Sequence, residues 1–311
     1  VKRLALVAAL VLAACAPQFA GRGASNTTPV MGDDFVLARD GMKLPLRHWD
    51  AHGAPKAVIV ALHGMGDYSN AFDMPGKVWA GLGITTLAYD QRGFGRSRNP
   101  GIWAGSDVMR ADLDDAVAAA HLRYPGLPVF ALGESMGGAV VLTALASPQP
   151  PAVDGAILVA PAVWSRADMP MLYRVALFFG AHLLPDLVLD NSAASHVVTV
   201  IPSDNIPMLR ALGRDPLVQK QTRTGTLYGL VNLMDEARGA NPANPPPILL
   251  LHGAKDQIIP AKPTEAVIAA LGNKATVKAY PNGYHMLLRD LDGESVDHDV
   301  ADWIFRDRNQ H

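Results

Sequence analysis

Val129-Phe130-Ala131-Leu132-Gly133-Glu134-Ser135-Met136-Gly137-Gly138-Ala139-Val140-Val141-Leu142 sets the reading of the whole chain. An apolar, β-prone run reaches a glycine, a serine stands two residues on, and a second glycine opens an apolar segment of helical length. That is the strand, sharp turn and helix that G-x-S-x-G needs to act as a nucleophile elbow. Lifting the Ser135 hydroxyl above the sheet edge requires a strained backbone, at a cost of about 1–3 kcal/mol that surrounding packing must offset. Gly133 and Gly137 flank the serine because side chains there would collide as strand and helix close on one another. The backbone N–H of Met136 then sits at a helix N-terminus, where partial positive charge suits an oxyanion.

Working outward, residues 57–62 (Ala-Val-Ile-Val-Ala-Leu) form a continuous apolar run, the pattern of a strand covered on both faces. It ends in His63-Gly64-Met65-Gly66-Asp67-Tyr68, a glycine-rich turn that lets backbone approach a ligand closely. This loop is expected to supply the second oxyanion donor, assigned to Met65; the alternative is a simple glycine turn with His63 as a structural polar anchor. A helix over 71–81 leads to a second buried strand at 84–89, which stops at Asp90-Gln91-Arg92-Gly93-Phe94-Gly95-Arg96-Ser97. There Asp90 is placed to bond backbone amides, an architectural role. Residues 107–124 read as a helix that is acidic in its first turns, and 155–160 as another buried strand ended by Pro161. Before all these, strands at 35–37 and 43–49 form an antiparallel edge hairpin around Asp40-Gly41.

Strand and helix alternate up to Pro161, which predicts an α/β fold: a mostly parallel central sheet with helices on both faces. From 162 to 246 the alternation fails, and helix-like segments at 169–184, 206–212 and 217–236 predict an inserted helical cap. The run Asn241-Pro242-Ala243-Asn244-Pro245-Pro246-Pro247 closes it. The segment 171–184 is apolar nearly all round, but Arg174, His182 and Pro185 argue against a membrane span. Two readings stay open: a helix buried on the main domain, or one whose Leu177 and Phe178 line an acyl-chain tunnel or rest on a lipid surface. The rhythm then resumes with a strand at 248–251, a helix over 264–271, a strand at 276–280 and a terminal helix over 294–308. The predicted organisation is a core in two parts, 34–161 and 247–311, around a cap at 162–246.

A serine hydroxyl is a weak nucleophile until an imidazole takes its proton, and that imidazole needs a carboxylate to fix its tautomer. Catalytic groups collect in loops at the carboxyl ends of parallel strands. Asp256 follows one such strand, in His252-Gly253-Ala254-Lys255-Asp256, and His285 follows the next, in Pro281-Asn282-Gly283-Tyr284-His285-Met286. The order Ser135, Asp256, His285 is the one an elbow serine on an α/β sheet takes. Asp290 and Asp292 are the alternative acids, but they sit on the same loop as His285.

The chain has 311 residues, a formal net charge of −2 and scattered basic residues, so nothing points to nucleic acid. Its single cysteine, Cys15, excludes an intramolecular disulfide framework. Lys2 and Arg3 precede an apolar run from Leu4 to Ala14, too short for a bilayer span and laid out as a secretory signal over residues 1–14. Leu12-Ala13-Ala14-Cys15 resembles the lipobox of bacterial lipoproteins, whose cysteine carries the lipid. Ordinary cleavage is the alternative, since Ala14-Cys15-Ala16 also reads as A-x-A, with Pro17 then following the scissile bond. Residues 15–33, small and polar, read as a flexible tether. The expected location is the bacterial cell envelope, with a lipid anchor in a membrane.

The glycine-rich turn at 63–66, the motif at 90–97, the elbow, and the Asp256 and His285 loops together resemble an α/β-hydrolase of the monoacylglycerol lipase and lysophospholipase type. The likeness in layout runs from about 34 to 307, and Arg214-Asp215-Pro216-Leu217 resembles a cap motif of that group. The resemblance implies a serine hydrolase with no metal and no cofactor that cleaves esters of single acyl chains. It implies catalysis by Ser135, His285 and Asp256, with an oxyanion hole at Met65 and Met136. A proline-type aminopeptidase shares elbow and triad, and would need cap acids such as Asp235 and Glu236 to hold an amine. A non-catalytic envelope binding protein is the alternative of another class. No feature of the sequence specifies an oligomer.

Overall fold

The computed structural model describes residues 17, 19–190 and 200–307; the leader at 1–14 and Cys15 lie outside them. In chain order the strands are β1 (Val30–Met31), β2 (Phe35–Leu37), β3 (Lys43–Trp49), β4 (Ala57–Leu62), β5 (Ile84–Tyr89), β6 (Val129–Glu134) and β7 (Gly155–Val159). They are followed by β8 (Val188–Asp190), β9 (Gln221–Arg223), β10 (Ile248–Gly253) and β11 (Ala275–Tyr280). Nine form one sheet in the order β1-β2-β3-β5-β4-β6-β7-β10-β11, while β8 and β9 pair antiparallel as a separate ribbon. The first three strands are antiparallel and the six from β5 to β11 are parallel. This is the α/β fold the alternation predicts.

The helices are α1 (Asp73–Gly81), α2 (Ser106–Arg123), α3 (Met136–Leu145), α4 (Met171–Leu183), α5 (Ile206–Arg214), α6 (Thr224–Gly239), α7 (Ala261–Leu271) and α8 (Gly293–Asp307). Side chains of α1, of the turn before it and of α8 pack one face of the sheet, with Phe72, Trp79, Val300 and Ile304 against Ile59, Phe130 and Leu251. The other face takes α2, α3, α6 and α7, with Leu113, Val140, Leu233 and Val267 against Val58, Ala131 and Leu250. Every residue of β4 to β7 is therefore buried, which is why those strands read as unbroken apolar runs. The chain leaves β4 towards β5 and then crosses back to β6, so the carboxyl ends of β4 and β6 flank the point where strand order reverses.

Three expectations need correction. The stretch 15–33 is not a free tether from Ala20 onward. Ala20 and Gly21 donate to the carbonyls of Trp103 and Ala104, Arg22 pairs with Asp115, and β1 joins the sheet edge. Its polar side chains and glycines leave the backbone free to bond neighbouring loops, which a composition-based reading does not register. Within 162–246, the helix expected over 217–236 is a short strand followed by α6, and the segment is not wholly helical because β8 and β9 form a ribbon. Helix α4 is neither buried on the main domain nor built into a tunnel wall by Phe178. Only Ala181 of its residues is buried, Leu177 is half-buried, and Phe178 stands exposed, stacked on His182 with ring centroids 4.2 Å apart.

Candidate active site

Ser135 sits at the junction of β6 and α3 with φ 53° and ψ −113°, a left-handed backbone that non-glycine residues rarely adopt. Its strain is held from both sides: Ser135 N donates to Val159 O at 2.9 Å, and Ser135 O accepts from Ala139 N at 3.1 Å and Ala162 N at 2.9 Å. A Cβ on Gly137 would overlap the carbonyl of Leu62, so strand and helix can close this tightly only over a glycine. Met136 is the first residue of α3 and is buried, so its N–H is among those a helix start leaves without an intrahelical partner. The turn after β4 passes directly beside the serine, since a Cβ on Gly64 would lie 3.3 Å from Ser135 Cβ. Met65, next in that turn, is half-buried.

Asp256 and His285 come together. His285 Nδ1 lies 2.8 Å from Asp256 Oδ2, and both side chains are almost wholly enclosed. An ionised carboxylate only accepts hydrogen bonds, so Nδ1 carries the hydrogen and Nε2 keeps a lone pair. Asp256 Oδ1 accepts from the amides of Ile258 at 2.8 Å and Ile259 at 3.0 Å, which fixes the carboxylate plane. The two loops are pressed together as well: Lys255 N donates to Gly283 O at 2.9 Å, and a Cβ on Gly253 would overlap the Gly283 carbonyl. Asp290 is engaged elsewhere, accepting from Ser203 Oγ at 2.6 Å and Tyr284 N at 2.7 Å. It braces the histidine loop without touching the imidazole.

His63 is held as an anchor. Its Nδ1 donates to Gly64 O at 2.8 Å, and its Nε2 accepts from Gln91 N at 3.0 Å. Burial lowers its pKa, so the ring stays neutral. Asp90 accepts from Ser69 N at 2.9 Å and Arg96 N at 2.8 Å, the loop-bracing role its motif suggests. Arg92 bridges Asp40 and Asp112.

One feature beneath the site is not expected from the sequence. Arg289, buried, donates to Asp67 Oδ2 at 2.7 Å and to Glu134 Oε2 at 2.8 Å. Asp67 lies on the turn after β4, Glu134 is the residue before Ser135, and Arg289 is four residues past His285, so one guanidinium ties all three loops. Burial opposes its charge, but the two carboxylates outweigh that and raise its pKa. Burial pushes the Glu134 carboxyl upward, with Arg289 acting against it. The only trace in the sequence is three charged residues, each close to a motif residue on loops that end apolar strands.

The segment after α5 lies over the same turn. Tyr68 Oη donates to Asp215 Oδ2 at 2.7 Å, and Gln219 N donates to Gly66 O at 2.7 Å. Beside it lies an open cavity of about 910 Å³, lined by Gly101, Val188, Pro216, Val218, Gln219 and Arg223 among others.

The family model described as Serine aminopeptidase, S33 matches residues 53–292. The chain belongs to this α/β-hydrolase family. Within it, the chain falls in the monoacylglycerol lipase group. It is 30% identical over 291 residues to the monoglyceride lipase of Homo sapiens, covering 91% of this chain and 93% of that protein. It is 27% identical over 274 residues to the monoacylglycerol lipase of Mycolicibacterium smegmatis, covering 85% of this chain and 93% of that one. In fold it is similar to a soluble variant of monoglyceride lipase from Saccharomyces cerevisiae, with TM-score 0.74 and 20% identity over 93% of this chain and 99% of that one. The protein is an α/β-hydrolase that hydrolyses carboxylic esters.

Proposed function

We propose that this hydrolase cleaves esters of single acyl chains, of the monoacylglycerol or lysophospholipid type, through Ser135, His285 and Asp256. The observation that carries the reading is the His285–Asp256 hydrogen bond, on a loop that Arg289 ties to the residue before a strained elbow serine. Support comes also from the monoglyceride lipases among its relatives. His285 Nε2 takes the proton of Ser135 as its Oγ attacks the ester carbonyl, and the oxyanion is held by the amides of Met65 and Met136. Losing one such donor typically costs about 10²–10³ in rate. The protonated imidazole then gives its proton to the departing alcohol, leaving an acyl-enzyme. A water molecule, deprotonated by the same ring, attacks the acyl carbonyl, and Ser135 recovers its proton as the acid leaves. Asp256 remains ionised throughout and stabilises the imidazolium.

The two cap acids that the aminopeptidase alternative would use are both engaged. Asp235 is paired with Arg166 and Glu236 with Arg110, which favours the esterase reading.

The reading extends to Cys15 as a lipid-attachment site in the cell envelope. Its thiol sulfur displaces glycerol phosphate from a phosphatidylglycerol, forming a diacylglyceryl thioether and giving up its proton. With a further acyl chain, such an anchor is stable in a membrane.

Turnover of monoacylglycerol, lysophospholipid, short-chain ester and amino-acyl amide by the native protein and by Ser135→Ala tests the assignment. Acyl esters are expected to be the substrates, with rates falling by several orders of magnitude in the variant. Preference for the amide, or normal ester turnover by Ser135→Ala, overturns it.

A further inference from the structure

The turn that ends β7 holds a strained backbone that neither the elbow nor the triad requires. Among the described residues, three that are not glycine take a φ in the left-handed region: Asn99 at 55°, Ser135 at 53° and Ala160 at 42°. The elbow accounts for Ser135, and asparagine tolerates such a φ. Alanine does not, and Ala160 carries a second penalty because Pro161 follows it: a residue before proline is pushed towards extended backbone. Ala160, Pro161 and Ala162 are all buried. Strain of this kind persists only where the surroundings hold it, and it collects at functional sites.

The pairing of β6 with β7 shows what the kink achieves. Glu134 lies opposite Val159, and Ser135 N donates to Val159 O at 2.9 Å, so the ladder runs on into the elbow. Continued regularly, a parallel ladder would offer the Ser135 carbonyl the N–H of residue 161. That residue is proline and has none. Ala162 N donates to Ser135 O instead, at 2.9 Å, while Ala160 N still bonds Leu251 O of β10 at 2.8 Å. One extra residue is thus inserted at the end of β7, as in a bulge, and the left-handed φ at 160 accommodates it. A Cβ on Gly138 would lie 3.0 Å from Pro161 Cβ, so the same turn presses on the start of α3.

We propose that the bulge of Ala160, Pro161 and Ala162 is a positioning element for catalysis, which aims the Met136 amide at the oxyanion. A peptide unit is planar, and the carbonyl of Ser135 and the N–H of Met136 belong to the same one, pointing opposite ways. Holding the carbonyl therefore sets the direction of the N–H. Ala139 N reaches that carbonyl at 3.1 Å as the first helical bond of α3, and Ala162 N reaches it at 2.9 Å from the β7 turn. Two donors on one oxygen restrict the peptide plane to one orientation. Ala160 and Ala162 touch no substrate; they act through the backbone of the nucleophile. The inference rests on the reading of Ser135 as nucleophile and Met136 as oxyanion donor, and adds the residues of β7 that hold both in place.

Replacing Ala162 by lactic acid, through suppression of a stop codon, puts an ester oxygen where its N–H stands and alters no side chain. On an acyl ester, kcat is expected to fall about tenfold with KM unchanged, a part of the ~10²–10³ lost with a whole donor. An alkyl trifluoromethyl ketone, which Ser135 converts to a hemiketal oxyanion, is expected to bind about tenfold less tightly. The matching trifluoromethyl alcohol forms no oxyanion and is expected to bind as before. An unchanged kcat overturns the proposal. Equal weakening of ketone and alcohol also overturns it, since that marks a general loss of shape. The second measurement compares Ala160→Val with Ala160→Gly, each confirmed as folded by circular dichroism. Glycine adopts a left-handed φ freely and is expected to keep the native preference for ketone over alcohol. Valine, β-branched, resists that φ and is expected to lower the preference. The same preference in both variants overturns the role of Ala160. A native protein that neither turns over esters nor labels at Ser135 with a fluorophosphonate overturns the catalytic reading itself, and the role of the bulge with it.

Discussion

Beneath Ser135 a guanidinium and two carboxylates are sealed away from water, while on α4 a strip of leucines and aromatics stands in it. Each region inverts the usual placement of residue types, charges inside and apolar groups outside. In the first, the charges are paired with one another, although Glu134 Oε1 and Arg289 Nε find no hydrogen-bond partner among the described residues, and the gain is geometric. Arg289 fixes the relative positions of the turn after β4, the elbow and the histidine loop, which elementary packing of small loop residues would leave loose. In the second, nothing in the described residues covers the apolar surface. The same departure from the rule is explained by neighbouring charges at one end and by nothing among the described residues at the other.

The contrast predicts opposite sensitivities. Arg289→Met leaves Asp67 and Glu134 buried without a counter-charge, and should lower the unfolding free energy by about 3–5 kcal/mol in urea titrations at neutral pH. A loss below 1 kcal/mol would mean that the trio is not holding the loops. Next comes Asp297 on α8, whose Oδ1 has no partner and whose pKa is pushed up to about 8 by burial and by the charges of Glu294 and Glu134. In the folded state it keeps a proton that the unfolded chain gives up near pH 4. Stability contributed this way is present below about pH 4 and lost as pH rises towards about 8. Asp297→Asn should flatten that decline in urea midpoints measured from pH 5 to pH 8; an unchanged slope would show that Asp297 is ionised in the fold. Smaller again, Tyr68→Phe removes the bond to Asp215 and should cost about 0.5–1.5 kcal/mol in thermal unfolding. Smallest, Leu172→Ser on α4 should stay within about 0.5 kcal/mol of the native protein, because it removes no internal contact. A larger loss there would mean that the strip is covered from within.

The same contrast separates what the sequence discloses from what it hides. The central strands, the elbow and the Asp256 and His285 loops are legible because each depends on local chemistry: unbroken apolar runs, glycines at close approaches, turns at strand ends. Arg289 is not, since its partners are 222 and 155 residues away and no periodicity links them. The ribbon of β8 and β9 is three residues a side and mixed in polarity, too short for an alternating pattern. The strap from Ala20 to Gly32 reads as a tether because most of its bonds are made by backbone, which composition does not reveal. Helix α4 is legible as a helix, but its surroundings are not. Hydropathy marks it as a helix that seeks cover, but cannot say whether that cover is protein or lipid.

The central claim is that Ser135 is an activated nucleophile served by His285. Labelling the purified protein with a fluorophosphonate and mapping the adduct by mass spectrometry tests it directly. A single phosphonyl group on Ser135, lost in His285→Ala while that variant keeps its fold, is the predicted result. A folded protein that stays unlabelled, or one that labels equally well without the imidazole, would contradict it.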